Sequence, residues 1–92
     1  MNRNTATFID VRTFEEFSQE HIDSAINIPL HEIPYRIHEF KSLPKPIIMY
    51  CRSGNRSSMA VSILKQYGIP EAINGGGIDE VKQKLINESN FK

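Results

Sequence analysis

The stretch Ile47-Ile48-Met49-Tyr50-Cys51-Arg52-Ser53-Gly54-Asn55-Arg56-Ser57 decides the reading of this chain. The apolar run Ile47 to Tyr50 reads as a buried strand, and an amphipathic helix begins near Arg56. Cys51 therefore opens a strand-to-helix turn, where a side chain sits inside a ring of backbone N–H groups at the positive end of a helix. With Arg52 and Arg56 nearby, every influence favours a sulfur anion, so the turn suits a reactive thiolate or a persulfide. Lowering a thiol pKa by two units takes about 2.7 kcal/mol of preference for the anion. A helix dipole supplies roughly 0.3–2 kcal/mol. Each hydrogen bond to a charged group supplies roughly 1.5–3 kcal/mol, so the amides have to carry the effect.

Within the turn, Gly54 lets the loop curl, Ser53 and Asn55 place polar groups at the rim, and Arg52 can point outward to recruit an anion. Arg56 at a helix start opposes the macrodipole, a conflict that a nearby anion would resolve. The competing reading is a cysteine buried as a small apolar residue, which is common for a lone cysteine. The flank Arg-Ser-Gly-Asn-Arg-Ser is a poor core sequence and favours the chemical reading.

Outward from the turn, strand and helix signals alternate. Thr7 to Val11 reads as a short buried strand, and Thr13 with Glu16 fits a capping box at the start of a short helix. Phe14 and Phe17 share one face of that helix and are expected in the core. Ala25 to Ile28 reads as a second strand closed by Pro29. Ile33, Ile37 and Phe40 recur at helical spacing, with Pro34 in the first turn and Leu43 to Pro46 ending the helix. Ala60, Ile63, Leu64 and Tyr67 mark the clearest helix, with Ile63 and Tyr67 expected in the core, and Gly68 suits the position just past its end. Ala72-Ile73 is a brief fourth strand, Gly75-Gly76-Gly77 a turn with close backbone approach near the cysteine, and Ile78, Val81 and Leu85 a last helix. Strands separated by helical crossovers predict an α/β fold, a small central parallel sheet with helices on both faces. Ligands of such sheets bind beyond the carboxyl ends of the strands where strand order reverses, so Asp10-Val11-Arg12 and the Cys51 turn flank a crevice if their strands are neighbours.

The 92 residues bound one domain, 1–92. Formal net charge is zero, which gives no basis for nucleic-acid or anionic-membrane binding. Apolar runs are too short to span a bilayer. Met1 to Thr5 has no hydrophobic segment behind it, so the expected location is cytoplasmic. One cysteine excludes an internal disulfide and a multi-cysteine zinc site, and His21, His31 and His38 lack a metal spacing, so no metal or cofactor is expected. Asp10 and Arg12 are read as a pair tying strand ends and indirectly supporting the loop. His21 is read as a partly buried turn histidine, with proton transfer as the alternative. Lys41, Lys45, Lys65, Lys82 and Lys84 are read as solvated surface.

In this order and spacing, Phe8-Ile9-Asp10-Val11-Arg12, Glu16-Phe17, His21-Ile22, Ala25-Ile26-Asn27-Ile28-Pro29, Ile48 to Ser57 and Gly76-Gly77 resemble a single-domain rhodanese, a sulfurtransferase. The resemblance implies a rhodanese-like fold in which Cys51 is the nucleophile that accepts a sulfane sulfur, and Arg52, Ser53, Gly54, Asn55 and Arg56 complete the cradle. It implies small-molecule partners: thiosulfate or a persulfide as donor, cyanide or a thiol as acceptor, with a sulfur-carrier protein as a further option. Ser24 stands where the family usually has glycine, and Val81 where a tryptophan often follows the glycine pair. The short start and missing tryptophan resemble the compact phage-shock type, which is typically exported, so a periplasmic location is the alternative. Cysteine phosphatases resemble this architecture but place five residues between cysteine and arginine. Here four separate Cys51 from Arg56, a smaller ring that suits a terminal sulfur better than a tetrahedral oxyanion. A sulfur or redox sensor, or a protein-docking module, remains the reading from another class, and turnover discriminates it from an enzyme.

Overall fold

The computed structural model describes residues 6–90, so the Met1 to Thr5 segment used in the reading of location lies outside them. Four parallel strands, β1 (Thr7–Asp10), β2 (Ile26–Asn27), β3 (Ile47–Cys51) and β4 (Ala72–Gly77), form one sheet in the order β2-β1-β3-β4. The helices are α1 (Phe14–Gln19), α2 (Ile37–Lys41), α3 (Asn55–Gln66) and α4 (Ile78–Asn90), with a 3-10 segment at Leu30–Tyr35. Side chains alternate across the sheet, as a strand requires. Ile9, Ile47 and Met49 pack with Ile33, Phe40, Ala60 and Leu64 on one face. Phe8, Ile48 and Tyr50 pack with Ile22, Ile78 and Val81 on the other. The expected α/β layering is therefore present, and β1 and β3 are neighbours.

Several elements differ from the sequence reading. The second strand shortens to Ile26–Asn27, although hydrogen bonding to β1 continues from Ile28 N–H to the Asp10 carbonyl and from Leu30 N–H to the Val11 carbonyl, each at 3.0 Å. The helix expected across Ile33 to Phe40 divides in two at Arg36. Pro34 has no N–H to give to an α-helical ladder, and the chain takes the tighter 3-10 form there before starting α2. Gly75-Gly76-Gly77 is the end of β4 rather than a free turn. Its register against β3 slips between Met49 and Tyr50, which pair with Asn74 and Gly76, leaving Gly75 as the extra residue of a bulge.

Two apolar expectations are overturned. Phe14 is 66% exposed and Phe17 stacks on His21 with ring centroids 3.8 Å apart, because the six-residue α1 buries no side chain at all. Tyr67, 50% exposed, is the C-cap of α3 and has left its buried face. The helix end itself is as expected. Gly68 (φ +86°) and Ile69 close α3 with N–H donation to the Lys65 and Leu64 carbonyls at 3.2 and 2.9 Å, a Schellman motif whose Ile69 and Leu64 are both buried. Lys45 is not simply solvated. Its ammonium donates to the carbonyls of Phe40, Lys41 and Leu43 at 3.1, 2.7 and 2.8 Å, satisfying the C-terminal end of α2. Lys82 pairs with Glu20 and so ties α4 to the residue that ends α1.

Candidate active site around Cys51

Cys51 is the last residue of β3, the central position at the carboxyl end of the sheet, and α3 begins at Asn55. Between them, Gly54 adopts φ +100°, a left-handed turn that lets the chain fold back over the sulfur. Its N–H donates to Cys51 Sγ at 2.9 Å. The N–H groups of Ser53 and Ser57 act on the sulfur as well, and the Ser57 hydroxyl lies 3.5 Å from it. Burial pushes the Cys51 thiol up. Hydrogen bonds from the Ser57 hydroxyl and from the N–H groups of Ser57, Ser53 and Gly54 outweigh that, so the pKa falls below the ordinary thiol value. The expectation of inward-facing amides is met, yet Cys51 is also only 1% exposed and belongs to the inner apolar cluster. The apolar reading and the chemical reading describe the same side chain: it is packed in the core, while its sulfur meets the loop amides.

The rest of the loop is distributed unevenly. Arg52, Ser53 and Asn55 are exposed at the rim, and Gly54 and Arg56 are half-buried. Among the described residues Arg52 forms no ion pair. Arg56 turns to α1, donating from Nη1 and Nη2 to the two carboxylate oxygens of Glu16 at 2.8 and 3.1 Å. That carboxylate is the anion which the helix-start arginine required. Glu16 also accepts the Thr13 N–H at 3.0 Å in the capping box of α1. Arg56, with the support of Thr13, holds the Glu16 carboxyl down to about 2.

Asp10 and Arg12 are buried at the end of β1. The Arg12 guanidinium donates to both Asp10 oxygens, at 2.8 Å to Oδ2 and 3.0 Å to Oδ1, and also to the Glu20 carbonyl at 2.6 Å. Asn27 Nδ2 reaches the carbonyls of both Asp10 and Arg12 at 3.0 Å. The Arg12 guanidinium stands 5.9 Å from the centre of the Tyr50 ring, and the Tyr50 hydroxyl accepts the Ile22 N–H at 3.1 Å. The pair thus closes the end of β1 beside β2 and beside the residue before Cys51. His21 is exposed rather than partly buried: its Nδ1 lies 2.8 Å from the Phe17 carbonyl and its ring stacks on Phe17, away from the loop.

Two groups escaped the sequence reading, and for a third the expected close approach to the cysteine turn is present but its partner was not legible. Ser57 stands in the run that decides the fold but carries no role there; it is fully buried beneath the sulfur. Asn74, ahead of the glycines of β4, bonds to Ser57, Gly54 and Gly76. Gly77 is the third: a Cβ there would lie 2.5 Å from the Arg52 carbonyl oxygen, so β4 and the loop touch backbone to backbone. A triplet of glycines signals close approach, but its partner is visible only once β3 and β4 are paired. Among the described residues no three His, Cys, Asp or Glu side chains could hold a metal, and no helix is long and apolar enough to cross a membrane.

Known proteins share this sequence pattern and this fold. The rhodanese-like domain family matches residues 1–84 of this chain. The thiosulfate sulfurtransferase PspE of Escherichia coli is 38% identical over 82 residues, which are 86% of this chain and 77% of that protein. A sulfurtransferase of Allochromatium vinosum is 39% identical over 71 residues, 76% of this chain and 65% of that one. Among solved structures, an E. coli rhodanese with anions superposes with a TM-score of 0.75 at 37% identity, covering 82% of this chain and 89% of that chain. A human single-domain sulfurtransferase superposes with a TM-score of 0.74 at 25% identity, covering 89% of this chain and 85% of that chain. A cysteine cradle at the switch point of a parallel sheet, on this fold and with these relatives, places the chain in the rhodanese-like sulfurtransferase family.

Proposed function

We propose that this protein is a sulfurtransferase that works through a Cys51 persulfide, with thiosulfate or a related sulfane compound as donor. The observation that carries the reading is the 2.9 Å bond from the Gly54 N–H to Cys51 Sγ, beside the N–H groups of Ser53 and Ser57, which favour the same anion. The thiolate attacks the outer sulfur of thiosulfate. A Cys51 sulfur–sulfur bond forms, the bond to the sulfonate group breaks, and sulfite leaves with the electron pair of that bond. Cyanide or an acceptor thiolate then attacks the terminal sulfur and releases thiocyanate or a new persulfide, restoring the Cys51 thiolate. Loop amides stabilise the anion on either cysteine form, as preorganised donors do where charge develops. Arg52 is exposed and draws anionic donors to the rim, while Arg56, neutralised by Glu16, holds the loop. Relatives named as sulfurtransferases support the reaction class. A cytoplasmic location and delivery to a sulfur-carrier protein belong to the same proposal.

Mass spectrometry after incubation with thiosulfate tests the reading. A gain of one sulfur on Cys51, removed by cyanide with release of thiocyanate over many turnovers, is the expected result. Sulfur uptake without turnover makes the chain a sensor, and no uptake from any sulfane donor overturns the reading. Aryl phosphate in a parallel assay is expected to release no phosphate.

A further inference from the structure

The side-chain amide of Asn74 can adopt only one orientation. Its Nδ2 donates to the Gly54 carbonyl at 3.2 Å, and its Oδ1 accepts the Gly76 N–H at 2.9 Å. Turning it over would set oxygen against oxygen and N–H against N–H. Oδ1 lies 2.6 Å from Ser57 Oγ and has no proton of its own, so the Ser57 hydroxyl is the donor. Two other acceptors stand within reach of that hydroxyl, the Gly54 carbonyl at 3.1 Å and Cys51 Sγ at 3.5 Å. The Gly54 carbonyl already receives the Ser58 N–H at 3.0 Å and the Asn74 amide, which fill its two lone pairs. One hydroxyl proton is left for two acceptors, Asn74 Oδ1 and Cys51 Sγ.

The outcome depends on the charge of the sulfur. A neutral thiol donates its hydrogen bond to Ser57 Oγ, and the Ser57 hydroxyl donates its own to Asn74 Oδ1. An anionic sulfur has no proton to give and attracts the Ser57 proton instead. Asn74 Oδ1 then keeps the Gly76 N–H, so turning the hydroxyl leaves no group unpaired. We propose that Asn74 is a positioning residue of the Cys51 cradle, holding the Ser57 hydroxyl proton while the sulfur is neutral and releasing it when the sulfur is charged. The proposal rests on the reading of Cys51 as the working anion. The charged groups around the cradle are Arg52 on the loop, Arg56 of α3 with Glu16 of α1, Glu80 of α4 on the Gly77 N–H at 2.8 Å, and the closed Asp10–Arg12 pair of β1. Among the described residues none of them bonds to Ser57 or Asn74.

The test is the titration of Cys51, followed by thiolate ultraviolet absorbance with the matching Cys51→Ala protein as blank. Asn74→Ala removes the acceptor at 2.6 Å; the Gly54 carbonyl that it frees, at 3.1 Å, is the weaker rival, so the acid dissociation constant of Cys51 is expected to rise about threefold. Ser57→Ala is expected to lower it by at least as much. The double variant is expected to match Ser57→Ala, because Asn74 acts only through that hydroxyl. An Asn74→Ala protein whose constant falls, stays the same, or shifts as far without Ser57 as with it overturns the proposal. Asn74→Ser, too short to reach the hydroxyl, replaces Asn74→Ala if circular dichroism shows that variant unfolded. The titration needs no sulfur transfer, so a wild-type protein that fails to turn over overturns the proposed function while the role of Asn74 is still decided.

Discussion

Arg56 meets Glu16 across 40 residues of sequence, with two parallel hydrogen bonds of 2.8 and 3.1 Å. The contact joins the first turn of α3 to the first turn of α1. A cation at a helix start is unfavourable alone; the bidentate carboxylate removes the conflict and anchors the cysteine loop from its side.

Glu16→Gln keeps a capping-box side chain and removes only the charge. The two side chains are 35% and 27% exposed, so solvent screening limits the loss to about 1 kcal/mol. The folded carboxyl titrates near 2 against an ordinary 4.5. A depressed carboxylate contributes its stability fully above its unfolded pKa and loses it as pH falls toward the folded one. Urea unfolding of both proteins is expected to show the full difference only well above pH 4.5, a shrinking one as pH falls toward 2, and none below both pKa values. A difference that persists undiminished near pH 2 would show that the charge is not its source.

Cys51→Ser is expected to abolish thiosulfate:cyanide transfer and persulfide formation while lowering stability by no more than about 1.5 kcal/mol. The serine oxygen can still accept the Gly54 N–H. Thermal unfolding beside the rate assay separates chemistry from fold, and substantial turnover by this variant would rule out the persulfide route.

Two glycine substitutions separate site from scaffold. Gly77→Ala places a Cβ 2.5 Å from the Arg52 carbonyl oxygen, so the loop has to move. Activity is expected to fall at least tenfold, with a stability loss of about 1–3 kcal/mol. Gly68→Ala meets nothing within 4 Å but has φ +86°, so it costs about 1–2 kcal/mol from the backbone and leaves activity intact. Equal activity in the two variants would mean that the loop does not depend on β4.

Asp10→Ala leaves the Arg12 guanidinium, 6% exposed, without its partner. Breaking such a buried pair costs about 3–5 kcal/mol. Denaturant unfolding is expected to show that loss, and the protein that remains folded is expected to retain its rate of sulfur transfer. A normal stability with a large drop in rate would instead assign the pair to the chemistry.

Most of the architecture is legible along the chain because its signals are local. The capping box at Thr13, the Schellman end at Gly68 and the buried run into Cys51 each depend on residues a few positions apart. The misreadings share one cause. Phe14, Phe17 and Tyr67 have core-like spacing, but periodicity says only that residues share a face, not that a neighbour covers it. The same spacing puts Pro34 in an α-helix. It sits in a 3-10 segment because backbone donors, not apolar period, set the helix type.

By itself, the order of residues determined the parallel α/β layering, the cysteine turn with its inward amides, and the requirement for an anion beside Arg56. Apolar periodicity and the alternation of strands with helical crossovers set the first, and backbone geometry and charge within a single turn of chain set the other two. Only the tertiary structure decided which anion that was, and that Ser57, Asn74 and Gly77 complete the cradle. Pairing β4 with β3 brings Gly77 beside Cys51, and Gly54 of the loop and Ser57 of α3 within reach of Asn74. A partner 17 to 40 residues away leaves no local signal, because the hydrogen bond that defines it exists only after the sheet has closed.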